Sequence, residues 1–436
     1  MTPVPKPDHS PGLTYRPARA MRTAILAQCL GVPWHYSLIF GGLATLYAQQ
    51  FGARDFMIGL INGALMIGTL GALWGPDLVE RYNKRAVLFT SALAGVVVGL
   101  PVLFLPQLAA AIGDPPTLWV RTVLMLLGAI FQSGFSASWF PIVRDFVPVL
   151  QIGRFFGTLR MAWQLVAMGL YLLFSLFLQG DGGASAASFQ CILAVLLCGQ
   201  IARLWLLPRL PQRPITTHHE RGVFARLRLL FSEKAYRTYV IFCLLIRGGT
   251  VCIFPTLIVY GKLLGASDRM MLMAMLARML GGSVSFPLWG RFVDRHGSGA
   301  AYRYGLLVVT ASFLLWAPVT IVMLEGHPGG PLLLACALLL YGVGDSAINI
   351  GLTRNSFSLV SRDKAPTYLA LQPALMLAWV GAGQVAVGWV FSRWRMQTLE
   401  QWLNPYLIGI ALFAGVAMAL MTLTPRVPGS GKPEQR

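Results

Sequence analysis

From residue 22 to residue 424 the chain is a near-continuous succession of apolar stretches, each long enough to cross a lipid bilayer, separated by short polar or charged turns. Roughly 20 apolar residues in a helix span the hydrocarbon core, and the pattern divides into twelve such stretches: 22–50, 56–78, 86–108, 118–143, 155–178 and 187–207, then 237–261, 268–290, 302–325, 331–357, 367–391 and 405–424. Backbone in lipid must satisfy its own hydrogen bonds, so stretches of this length predict helices. Charged residues make up 12% of the chain, about half the roughly 25% of a soluble globular protein, which excludes that class. The expectation is an all-α integral membrane protein with 12 transmembrane helices.

The longest polar interruption, 208–236, divides six stretches (22–207) from six (237–424). It holds Pro208, Pro211 and Pro214, the pair His218 and His219, and a basic amphipathic run at 221–230 that is expected along the inner membrane surface. Residues 1–21 are polar and Pro-rich and read as a tail, not a signal peptide, and 425–436 form a second tail. Lys and Arg crowd one set of loops and leave only Arg54, Arg121, Lys262, Arg269, Arg393 and Arg395 to the other. By the positive-inside rule both termini are cytoplasmic. The net charge of +19 follows from this topology and from attraction to anionic lipid. Nucleic acid is not an expected partner, because a nucleic-acid binder needs a contiguous basic face.

One charged turn occurs twice, half a chain apart. The later copy runs Gly290, Arg291, Phe292, Val293, Asp294, Arg295, His296, Gly297, and the earlier one runs from Pro76 through Asp77, Glu80, Arg81 and Asn83 to Lys84 and Arg85. Both place an acid directly before Arg. The later copy fits the G-x-x-x-D-R-x-G loop between the second and third helices of each half in the major facilitator superfamily, which the chain resembles. The earlier copy departs from that pattern, with Pro76, Glu80 and Asn83 where the family has Gly, Asp and Gly. A second trace of duplication pairs Arg144, Asp145 and Pro148 with Arg362, Asp363 and Pro366.

The resemblance implies two six-helix bundles around a central cavity, with Glu80, Arg81, Asp294 and Arg295 tying helix ends together in one of two alternating states. The other reading of the basic residues is that they serve topology alone. The resemblance further implies that the first, fourth, seventh and tenth helices line the cavity. Counting from helix ends places one polar residue of each near the bilayer midplane: His35, Gln132, Arg247 and Asp345. Asn349 lies one turn from Asp345 on the same face, and Trp34, Tyr36, Trp139 and Asn62 are candidates to complete the lining.

Charges at that depth are costly unless paired or wetted. Asp345 and Arg247 are expected to pair, either as a fixed structural contact or as one that a solute anion or a proton breaks. Arg278 adds a further cation, so an anionic or zwitterionic solute is favoured. His35 is a candidate proton carrier, or a neutral ring bonded to a carbonyl or to the solute, and Gln132 is either a solute contact or packing between helices. Glycines such as Gly59, Gly63, Gly381 and Gly388 read as close helix contacts.

Absences narrow the class. There is no phosphate-binding G-x-x-x-x-G-K-[ST] loop, and the six cysteines lack metal-binding spacing, so neither enzyme activity, cofactor nor metal is expected. The stretch 155–178 lacks the Gly-Pro pair of many drug/proton antiporters of the family. The chain is therefore expected to be a secondary active transporter, monomeric and multi-pass, in a bacterial inner (cytoplasmic) membrane. It would move a small solute by alternating access, most simply with a coupling proton. The alternatives are efflux of amphipathic compounds, or a transporter-like scaffold for cofactor or lipid delivery or sensing without net flux.

Overall fold

The computed structural model describes residues 17–39, 42–147, 152–177, 185–212, 222–359, 365–394 and 399–424. The tails 1–16 and 425–436, the pair His218 and His219, and Arg362 and Asp363 lie outside the described residues, as do the side chains of Tyr36, Glu80 and Asp294.

Among the described residues the ordered elements are all helical. The first half of the chain supplies α1 (Pro17–Ile39), α2 (Gly42–Gln49), α3 (Asp55–Ile67), α4 (Gly75–Tyr82), α5 (Lys84–Leu103), α6 (Leu105–Ile112), α7 (Asp114–Phe146), α8 (Ile152–Phe177) and α9 (Ala186–Leu204). After the short amphipathic α10 (Val223–Ser232), the second half supplies α11 (Lys234–Val251), α12 (Phe254–Leu263), α13 (Asp268–His296), α14 (Ser298–Leu314), α15 (Trp316–Leu324), α16 (Gly330–Leu359), α17 (Ala365–Arg393) and α18 (Leu399–Leu423).

Several expected spans are two helices end to end, and proline is the cause. Pro106, Pro255 and Pro318 stand in the first turn or two of α6, α12 and α15, where each lacks the N–H that would bond the carbonyl four residues back, so the preceding helix stops. Among the described residues, ten helical segments are long and apolar enough to cross a membrane. The expected spans 22–50 and 155–178 are helical but not among the ten. The first is divided between α1 and α2, and the apolar part of the second is the shorter Thr158–Phe174. Outward faces carry exposed apolar side chains such as Val97, Val123, Val284, Leu288 and Leu332, which suits a lipid solvent and no aqueous one.

The duplicated turn has a backbone reason. Gly297, between α13 and α14, has φ 85°, and Asn83, between α4 and α5, has φ 70°. Asn is among the few side chains found at positive φ, and its carboxamide also caps α5 by accepting from Ala86 N at 2.9 Å. The apparent departure at Asn83 thus keeps the turn's geometry.

Within the first half α1 packs on α8 and α9, and α5 on α7 and α9; within the second, α16 packs on α13 and α14, and α18 on α14 and α11. The halves meet where α3 lies along α17 and α8 lies along α13, and again at one end, where α2 touches α12 and α13. The α3–α17 seam is backbone against backbone. A Cβ on Gly59 would sit 2.4 Å from the Gln384 carbonyl oxygen, and one on Gly63 2.6 Å from that of Gly381.

Candidate functional site

Between the halves lies a cavity of two lobes that share Val32, His35 and Leu377. The lobe against the second half, about 310 Å³, is lined by Arg160, Arg247, Arg278, Asp345 and Asn349 among others. The lobe within the first half, about 340 Å³, is walled by Trp34, Leu65, Phe135, Trp139 and Phe140, with Gln28, Gln132 and Arg203 at its polar points.

Helix packing assembles the charged lobe. A Cβ on Gly342 of α16 would fall 2.0 Å from the Arg278 carbonyl oxygen of α13, so the two backbones run in direct contact and bring Arg278 beside Asp345. Ser285 and Ser346 hydroxyls at 2.6 Å, and the Trp289 indole N–H donating to the Val343 carbonyl at 3.0 Å, hold the same two helices. From α11, Arg247 Nη1 meets Asp345 Oδ1 at 2.5 Å, while its Nη2 donates to Asn349 Oδ1. Asn349 Nδ2 in turn donates to Asp345 Oδ2 at 3.3 Å. Arg278 Nη2 stands 3.9 Å from the same Asp345 oxygen, and its guanidinium covers the Phe254 ring at 4.1 Å. Arg160, from α8, reaches Thr353 Oγ1 at 3.5 Å.

Three guanidinium groups and one carboxylate among the lining residues give this lobe a net charge of +2. The side chains of Arg247 and Asp345 are only 7% and 16% exposed, and a buried excess of this size is stable only where water or a counter-anion supplements the protein.

Arg247, Asp345 and Asn349 therefore converge. His35 borders both lobes, and its Nε2 has no hydrogen-bond partner. Gln132 lines the apolar lobe and not the charged one. Trp34 and Trp139 also line it. Asn62 lines neither lobe: it is buried and bonded to the Ile58 carbonyl at 2.9 Å, because a polar side chain in an apolar helix finds its nearest acceptor one turn back. The side chain of Tyr36 lies outside what the structure describes.

At the duplicated turns, Arg81 and Arg295 are exposed, and Arg81 lies over the Tyr82 ring at 5.3 Å. Among the described residues, an ion pair that sequence reasoning missed ties helix ends there, Lys84 to Asp145 at 2.7 Å between α5 and α7. Both residues stand within the duplicated motifs, and that was the available signal. Arg203, Arg121 and the role of Arg160 were missed as well. Arg121 was placed with the outer helix ends, yet it is 1% exposed and donates to the Ala44 carbonyl at 2.5 Å.

Comparison with known proteins decides the family. The model of the Major Facilitator Superfamily matches residues 30–375. The chain belongs to the Major Facilitator Superfamily. It is accordingly a transporter, and its apolar spans make it a multi-pass membrane protein. Solved structures of this superfamily share the fold over nearly the whole chain. A D-xylose-proton symporter superposes with TM-score 0.72 at 14% identity, covering 95% of this chain and 99% of the symporter. The nucleoside transporter NupG gives TM-score 0.64 at 16% identity, covering 93% and 98%. The inward open xylose transporter XylE from E. coli gives 0.69 at 14% identity, covering 96% and 98%. At such identities the likeness is one of fold alone. No curated protein sequence matches the chain.

Proposed function

We propose that this member of the superfamily is a secondary active transporter of a small anionic solute, built as two six-helix bundles (22–207 and 237–424) with both termini in the cytoplasm of a bacterial inner membrane. The observation that carries the reading is the charged lobe, whose lining holds Arg160, Arg247 and Arg278 but one carboxylate, Asp345. A solute carboxylate or phosphate fits the guanidinium geometry and supplies the missing negative charge. Alternating access then follows from rocking the two bundles about the glycine seam of α3 and α17.

Proton coupling has a place in the same network. A proton on Asp345 removes its attraction for Arg247, raises the lobe to a higher positive charge and frees that guanidinium for the solute. His35, at the border of the lobes, is the second group able to carry the proton. A different reading, export of amphipathic compounds, draws support from the aromatic wall of the other lobe.

The test is thermal melting of the detergent-purified protein with a panel of carboxylates, phosphates, sugars, nucleosides and lipophilic cations at two pH values, with Arg247→Ala alongside. A ligand at a hundredfold its Kd stabilises by about 2.7 kcal/mol. Stabilisation confined to anions and absent in Arg247→Ala is the expected result, while stabilisation by diverse lipophilic cations overturns it.

A further inference from the structure

The apolar lobe ends on a buried cation that the charged lobe does not need. Arg203 of α9 is 1% exposed, and no carboxylate pairs with it among the described residues. Its Nη2 donates to Gln28 Oε1 at 3.1 Å, its Nη1 meets Gln200 Oε1 at 3.4 Å, and its guanidinium lies over the Phe135 ring at 3.8 Å. Its Nε has no partner. Neither do three other polar atoms at or beside this lobe: Gln200 Nε2, His35 Nε2 and Gln132 Oε1. The space is shaped for the arginine, since a Cβ on Gly31 of α1 would lie 2.2 Å from Arg203 Cδ.

A buried guanidinium without a counter-charge is costly, and ring contact and neutral amides offset only part of that cost. A ligand anion would supply both the charge and the acceptors for the idle donors. The lobe has room for one, and it shares His35, Val32 and Leu377 with the lobe of Arg160, Arg247 and Arg278.

We propose that Arg203 is a second anion-binding residue of the same cavity, and that the solute is an elongated dicarboxylate with an apolar middle. This rests on the anion-transport reading and extends it. One carboxylate binds Arg247 and its neighbours. The hydrocarbon middle lies against Trp34, Phe135 and Trp139. The second carboxylate reaches Arg203 and Gln200, with Gln132 and His35 beside its path. Gln28, which holds Arg203, lies seven residues before His35 at the border of the lobes, about 10 Å at 1.5 Å per residue, so the diacid expected to fit best carries a chain of several carbons. Such a solute touches both halves of the protein at once.

The experiment measures binding to the full-length protein in detergent. Saturated α,ω-dicarboxylates from succinate to sebacate are each compared with the monocarboxylate of equal length, for the wild type, Arg203→Gln, Arg203→Lys and Arg247→Gln. The wild type is expected to prefer the best-fitting diacid over its monoacid by about tenfold or more, the worth of one charge-assisted contact. Arg203→Gln should erase that preference and Arg203→Lys should keep part of it, which separates a lost contact from a misfolded variant. Monoacid and diacid binding equally at every length, or a preference that survives Arg203→Gln, overturns the second site. Monoacid binding that still depends on Arg247 would then leave the anion reading standing. Binding of neither class to the wild type overturns both.

Discussion

The Tyr406 hydroxyl, on α18, donates a hydrogen bond to the carboxylate of Asp55, the first residue of α3, across 351 residues of chain. The Tyr406 ring is stacked between Phe391 at 4.5 Å and Tyr260 at 5.0 Å, and the Tyr260 hydroxyl meets Thr320 Oγ1 at 2.7 Å. This contact joins the two halves at the end where α2 and α3 meet α12. Hydrogen bonds to a charged group contribute about 1.5–3 kcal/mol. Tyr406→Phe is therefore expected to shift the balance between closed and open forms of that end by tenfold or more towards open. Spin labels at the exposed Arg54 and Arg393 positions would report it, and an unchanged distance distribution would contradict it.

Asp345→Asn removes the single carboxylate of the charged lobe while keeping its shape. Arg247 and Arg278 then lose their counter-charge, so the variant should melt at lower temperature without ligand and bind anions several-fold more tightly than the wild type. If Asp345 carries the coupling proton, the pH dependence of anion binding flattens as well. Isothermal titration at two pH values reads both effects, and weaker anion binding in the variant would argue for a role in holding the solute directly.

Gly342→Ala tests the backbone contact that sets Arg278 beside Asp345. With 2.0 Å between the new Cβ and the Arg278 carbonyl oxygen, α13 and α16 must separate. Overpacking of this kind costs about 1–3 kcal/mol. The variant is expected to lose that much stability and to weaken anion binding more than Gly290→Ala, at a position with open space. Thermal melting with and without ligand compares the two.

The Lys84–Asp145 pair is suited to a double-mutant cycle. Its side chains are 11% and 12% exposed, so removing either partner takes a close, little-screened interaction from a nearly buried charge, at about 3 kcal/mol. Lys84→Met and Asp145→Leu should each destabilise by that order, and the double variant by clearly less than the sum. Additive losses would show that the two charges are not coupled.

Much of this protein is legible in its sequence because lipid leaves the backbone so few options. Apolar run length alone marks helices such as α13 to within a few residues of its start at Asp268, and counting from helix ends puts Arg247 and Asp345 at one depth, with Asn349 one turn away on the same face as Asp345. What does not follow from the linear pattern is the face each residue presents. Asn62 was expected in the cavity and instead bonds within its own helix, whereas Arg203, near a helix end and unremarkable in a basic protein, turns inward under Gly31. Arg121 turns inward to Ala44 in the same way. The Asp55–Tyr406 contact was beyond reach for another reason: it joins the two halves of the chain, and no periodicity in either half encodes its partner in the other.

The break at Cys252 and Ile253, between α11 and α12, falls just over one helical turn beyond Arg247. Pro255 follows it, so bending passes poorly from one segment to the next. One membrane crossing is thereby split into two mechanical parts. The α11 part carries the ion-pair network, and the α12 part, with Tyr260 stacked on Tyr406, belongs to the contact that joins the two halves. Under the proposed function, the contact between the halves can flex and re-form while the arginine stays in register with Asp345, so that a bound solute need not be released each time the α12 segment moves.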